Sequence, residues 1–229
     1  MTRLLILVEG QTEEDFVNEA LRDQLVANGY DAVDARIVGN ARLRQRRGGI
    51  RPWLSVRRDI IKHLKEDPGC IVTTMVDYYG LPQTGVAAWP GRAKAGGLSP
   101  IKRAPCVEKA IQDNLESEMG KRLNPKRFVP FVVMHEFEGL LFSDCAAFSN
   151  GIGQPNLEVE FRAIRDQFPT PEDINDSPVT APSKRVAALV PGYQKPLLGT
   201  LAVLEIGLAR IRAECPHFNA WLEKLESLI

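Results

Sequence analysis

The stretch RLLILVEGQTEEDF, residues 3–16, decides the fold. Its aliphatic run at residues 4–8 is too short for a helix and lacks polar alternation, so it reads as a strand buried on both faces. The run stops abruptly at Glu9 and Gly10. Thr12 then reads as a helix N-cap, and Glu13, Glu14 and Asp15 suit the positive end of a helix dipole. Phe16, Val17, Ala20, Leu21 and Leu25 fall on one helical face, and Gly29 closes the helix.

The pattern recurs downstream. Residues 35–38 read as a second strand, closed by Gly39 and Asn40. Pro52 opens a helix with an inward stripe of Trp53, Val56, Ile60 and Leu64. Residues 70–76, rich in β-branched side chains, read as a third buried strand ending in Asp77. A long polar segment at 78–104 reads as a loop, of the length that is often functional or mobile. A helix marked by Val107, Ile111, Leu115 and Met119 follows, then a strand at 128–134 that ends in His135, Glu136, Phe137 and Glu138. Alternating strands and helices predict an α/β fold, a mostly parallel sheet flanked by helices. Beyond Asp144 the chain reads as helical, at 157–168, 183–190, 197–212 and 218–228, with prolines at the joints. The expected organisation is a core over 1–144 and a helical C-terminal extension over 145–229 packing on it.

Composition sets bounds. An apolar fraction of 44% is enough for a core, and 29 basic residues balance 29 acidic ones, so only local patches bear on nucleic-acid binding. Cys70, Cys106, Cys145 and Cys215 lie too far apart for a C-x-x-C metal or disulfide pattern. They read as reduced thiols of a cytoplasmic protein. The short N-terminal apolar run does not read as a signal peptide, and no run nears the roughly 20 apolar residues of a membrane span. The chain lacks a GxxxxGK[ST] loop, so ATP hydrolysis by that route would need another chain.

Function is to be sought at the strand ends. In parallel sheets ligands bind outside the carboxyl ends of the strands. Glu9, Asp77, Glu136 and Glu138 all stand at or just past such an end. Grouped carboxylates repel unless a cation or a proton intervenes, and a hard cation such as Mg²⁺ takes oxygen ligands. The alternative is that strand ends simply meet water. Glu136 and Glu138 share a side if the strand continues through them, and diverge by about 200° if a helix begins there. His135 reads as structural, and so does His217. Arg42, Arg44, Arg46, Arg47 and Arg51, with glycines between and no acids among them, suit a phosphate backbone. Trp53 reads as a core residue before a base-stacking one. Arg92, Lys94, Lys102 and Arg103 add positive charge to the long loop, which would act as a lid. Ser183 reads as the N-cap of the helix that carries Lys184 and Arg185.

VEGQTEEDF at residues 8–16 resembles the first motif of the Toprim domain, and MVDYYGLP at 75–82 stands where its DxD motif belongs. With HEFEGLLFSD at 135–144 and APSKR at 181–185, the chain resembles more closely a bacterial Toprim-like family of unknown function. That family is related to nucleases of the OLD type, and its members are often encoded beside ATPases in operons taken to serve anti-phage defence. The resemblance implies a Toprim-like fold and an Mg²⁺- or Mn²⁺-dependent phosphodiester-cleaving enzyme acting on DNA or RNA. By position, Glu9, Asp77 and Glu136 would be catalytic, and Glu9, Asp77, Glu136 and Glu138 would hold metal. Gly10, Arg42, Arg44, Arg47, Arg51, Lys184 and Arg185 would meet the substrate, and Lys195 would serve the same face. The implied partners are nucleic acid and a neighbouring ATPase, with no membrane and with a homo-oligomer left open. The sequence departs from the DxD pattern at Tyr79, since a neutral phenol is a poor ligand for a hard cation. That keeps open a non-catalytic module that binds nucleic acid or nucleotide and docks on an ATPase. A small-molecule phosphotransferase is a third reading.

Overall fold

The computed structural model describes residues 1–38, 49–175, 177 and 179–229. It is an α/β protein with a wholly parallel sheet. Strand β1 (Arg3–Val8) leads into α1 (Gln11–Phe16), which continues without a break through a π-helical turn at Val17–Leu21 into α2 (Arg22–Ala27). Then come β2 (Ala32–Ile37), α3 (Trp53–Glu66) and β3 (Cys70–Asp77). A short α4 (Arg92–Ala95) and a long α5 (Pro100–Met119) precede β4 (Phe128–Val129) and β5 (Val132–Val133). The strand order is β2-β1-β3-β4, with β5 also on β3.

The two sheet faces sort by parity. Leu4, Ile6 and Val8 pack with Phe16, Val17, Leu21 and Leu25, whereas Leu5 and Leu7 pack with Val56, Ile60, Val107 and Ile111. This is the two-sided burial that a continuous aliphatic strand requires. The C-terminal helices add to the first face. They are α6 (Glu138–Leu141), α7 (Cys145–Gly151), α8 (Glu158–Arg165), α9 (Pro182–Leu189), α10 (Lys195–Ile206), α11 (Leu208–Glu214) and α12 (Pro216–Glu226). Their Phe148, Phe161, Val186, Ala202, Phe218 and Trp221 share one hydrophobic cluster with β1. Trp221 stacks on Phe131 at 4.4 Å.

Several expectations need correction. The second strand starts three residues earlier than the β-branched pattern indicated, because β1 supplies partners from Arg3 onward. The segment at 78–104 is no open lid. Pro100 stands at N1 of α5, and Pro105, which reads as a breaker, lies in its second turn. Arg92 is buried, with Nε donating to the Tyr78 carbonyl (3.0 Å), Nη1 meeting the Tyr78 hydroxyl (2.9 Å) and the guanidinium 3.9 Å over that ring. Trp53 is a core residue, its indole N–H donating to Asn114 Oδ1 (2.7 Å). The single helix read at 197–212 breaks at Gly207, whose φ of 79° leaves the helical region.

The expected strand at 128–134 is interrupted at Pro130, which has no N–H for a ladder. The register is the same on both sides, Thr73↔Val129 and Val76↔Val132. Two buried threonines of β3 bridge the gap. Thr74 Oγ1 accepts from Phe131 N (3.0 Å) and donates to Phe131 O (2.8 Å), while Thr73 Oγ1 donates to Val129 O and accepts from Trp221 Nε1 (2.9 Å). Replacing Thr74 by Val keeps the shape and leaves a buried amide and carbonyl short of a partner. We expect a loss of about 1–3 kcal/mol in urea unfolding, with Thr74→Ser close to wild type.

Candidate acidic site at the sheet edge

The order β2-β1-β3-β4 places the topological switch point between β1 and β3, where the chain leaves toward opposite sides of the sheet. Glu9 and Asp77 are the residues at those two strand ends. Val8 pairs with Met75, so the next residues along meet: Glu9 Oε2 accepts from Asp77 N at 3.3 Å. The turn after β3 lies flush against the Glu9 carboxylate. A Cβ at Gly80 would stand 3.1 and 3.2 Å from its two oxygens, tighter than side chains normally tolerate.

The HEFE stretch continues neither as strand nor directly as helix. His135 is buried and has φ of 60°, the left-handed region that costs a side-chain-bearing residue about 1–2 kcal/mol. Its carbonyl accepts from Tyr79 N (3.0 Å). The turn carries Phe137 N onto Asp77 Oδ1 (3.0 Å) and returns the chain over the sheet edge. Glu136 Oε2 accepts from Ser183 N (2.9 Å) at the start of α9, where Ala181, and not Ser183, holds the cap position. Glu138 is buried. Lys195 Nζ stands 2.8 Å from its Oε1, and its Oε2 has no hydrogen-bond partner among the described residues.

Two further residues belong to this site, one of which the sequence explained differently. Gly10, rather than Thr12, is the cap residue of α1, and Glu13 reaches back to accept from Gly10 N at 2.9 Å. Glu13 is buried, and its carboxyl is pushed up to about 7, first by burial and then by Glu9 and Glu138. Glu14 and Asp15 instead take the Gln11 side-chain amide at 3.1 and 2.8 Å. Tyr193, from the turn before α10, has a buried hydroxyl without a hydrogen-bond partner among the described residues. Burial and the Glu138 charge hold its phenol well above its ordinary value.

The remaining shifts agree on the electrostatics. Burial raises Asp77 well above the usual carboxylate range, reinforced by Glu13, Glu9 and Glu138. Burial likewise raises Glu9, against the pull of the Asp77 amide and Lys195, and raises Glu138 despite Lys195. Lys195 loses by desolvation but is raised on balance by Glu138, Asp77 and Glu136.

Of the basic residues read from sequence, Arg42, Arg44, Arg46 and Arg47 lie outside the described residues. Arg51 is half-buried, and its carbonyl accepts from Trp89 Nε1 (2.8 Å). Lys184 is exposed. Arg185 is held by the Thr180 carbonyl (2.8 Å) and lies 5.3 Å over Phe168. Gly10 offers no spare amide while Glu13 accepts from it. His217 is structural, as expected, pairing with Glu108 at 2.9 Å.

Among the described residues no three Asp, Glu, His or Cys side chains already converge as a ligand set. The donor chemistry nevertheless fits a hard divalent cation. The donors are carboxylate oxygens, they raise one another's pKa, and Glu138 Oε2 is buried without a hydrogen bond.

Fold and site together define a parallel α/β protein with carboxylates gathered at the switch point of its sheet. The chain belongs to the family described as a domain of unknown function, DUF4276, whose profile matches residues 8–226 and so spans every residue of the site. Neither the curated proteins nor the solved structures gave a match.

The raised carboxyl of Glu13 has a consequence for stability. Folded, it holds its proton up to about pH 7, whereas the unfolded chain releases it near 4.5. The native state therefore binds more protons between those values, and stability falls as pH rises through that window. In metal-free buffer, Glu13→Gln is expected to melt a few degrees above wild type at pH 8 and to match it near pH 4. A Tm difference independent of pH would contradict this.

Proposed function

We propose that this chain is a Toprim-like, Mg²⁺- or Mn²⁺-dependent phosphodiesterase acting on DNA or RNA. In this reading it is the cytoplasmic effector of an anti-phage defence system, with ATP hydrolysis supplied by a partner ATPase. The observation that carries the reading is the meeting of Glu9 and Asp77 at the switch point, beside the buried carboxylates Glu136 and Glu138. Bound there, a divalent cation would stabilise charge developing on a phosphoryl group. Glu9, Asp77, Glu136 and Glu138 would hold it. The raised carboxyl of Glu9 suits proton transfer near neutral pH. Lys195 orients Glu138, while Arg51, Lys184 and the arginines at 42, 44 and 47 would track the substrate's phosphates, Arg185 and Gly10 completing the rim.

A second reading, a non-catalytic module that binds nucleic acid or nucleotide and docks on an ATPase, is favoured by one observation. Tyr79, where the second aspartate of the motif would stand, is 39% exposed and turns no carboxylate toward the site.

Metal-stripped protein should gain Tm on addition of Mg²⁺ or Mn²⁺, and Glu9→Gln or Asp77→Asn should remove the gain. With a panel of DNA and RNA, alone and with the neighbouring ATPase, metal-dependent cleavage should be lost in the same variants. No shift with any divalent ion sinks the metal site. Binding without cleavage selects the module.

A further inference from the structure

Helix α10 has the sequence KPLLGTLAVLEI, with charges only at its two ends, Lys195 and Glu205. A helix that is apolar all round is normally buried all round. Here Gly199, Ala202, Val203 and Ile206 face the core, but Leu197, Leu201 and Leu204 on the outer side are 57%, 43% and 52% exposed. Their spacing of four and then three is that of a helix–helix seam, and the stripe runs about 10 Å along the axis.

We propose that this stripe is the contact between two copies of the chain, with the two α10 helices packed antiparallel about a two-fold axis near Leu201. Charge decides both occupant and orientation. Lys195 lies at the N-terminal end of the stripe and Glu205 beyond its C-terminal end, on either side of an uncharged centre. A parallel pair would set lysine against lysine and glutamate against glutamate. An antiparallel pair sets Leu197 against Leu204 and brings Glu205 of each copy to the Lys195 end of the other. The element is thus complementary to itself, as an isologous interface requires. It has an apolar centre and a polar rim, with Gln194 and Thr200 at its margin.

The contact also reaches the acidic site. Lys195 opens α10 and pairs with Glu138, and a Cβ at Gly199 would lie 3.4 Å from Thr12 and 3.6 Å from Phe137. Pairing of the outer face therefore fixes the helix whose inner face abuts α1 and the HEFE turn.

The test is the mass of the full chain by light scattering and sedimentation at roughly 1 to 100 µM, where a modest interface associates. Wild type is expected to dimerise, and Leu201→Asp to be monomeric with unchanged circular dichroism and Tm. Should that variant misfold, Leu197→Ser with Leu204→Ser serves the same purpose. Under a mild oxidant, Leu197→Cys mixed with Leu204→Cys should cross-link faster than either variant alone. Wild type that stays monomeric throughout the range, a dimer that survives the leucine substitutions, or faster cross-linking of each cysteine variant with itself would overturn the proposal.

Discussion

Parallel pairing of β1 with β3 is the constraint on which the rest of the structure depends. The register Val8↔Met75 brings two strands to an end one residue apart, so Glu9 and Asp77 meet whatever else the chain does. The helices that follow β1 and precede β3 lie on opposite faces, and neither covers that point. A crevice is left there by topology alone. The HEFE turn closes one side of it, tethered by the Phe137 amide on Asp77.

Placing carboxylates together at a partly dry edge is costly, and the fold offsets the cost with groups drawn from far along the chain. Backbone amides of Asp77, Phe137, Gly10 and Ser183 each meet one carboxylate, and Lys195 meets Glu138. Three of those donors come from turns or helix starts, where N–H groups lack a partner within their own element. The C-terminal helices therefore do two jobs. They cover the β1 face with aromatic side chains, and through Ser183, Tyr193 and Lys195 they supply polar groups to the sheet edge.

How much of this could be read from sequence follows from the range of the interactions. Glu9 and Asp77 were legible because a strand buried on both faces is an uninterrupted apolar run, and its end is marked by the first charge. The inward stripe of α3 was legible for the same local reason, and Trp53, Val56, Ile60 and Leu64 are all buried. Glu13 was not legible as a site residue, because an acid in the first turn of a helix is already explained by the dipole. Only its burial beside Glu9 distinguishes it from Glu14 and Asp15. Arg92 read as surface charge because its partner, Tyr78, is met through the tertiary fold. The break at Pro130 was masked for a different reason. Proline in a strand is a local signal, but threonine hydroxyls of another strand satisfy the interrupted ladder and keep its register.

The surplus of negative charge distinguishes this edge from a structural ion-pair network. In such a network charges are matched, and carboxylate pKa values fall. Here Glu9, Glu13, Asp77 and Glu138 all rise, although Lys195 acts on three of them to lower the value. One ammonium does not balance that set. Whatever completes the balance, a proton or a cation, must come from solution, because the surrounding amides are already engaged. The state of the edge is then set by what is dissolved around it. A purely structural cluster would have no use for such dependence, whereas a site that must admit and release a charged ligand requires it.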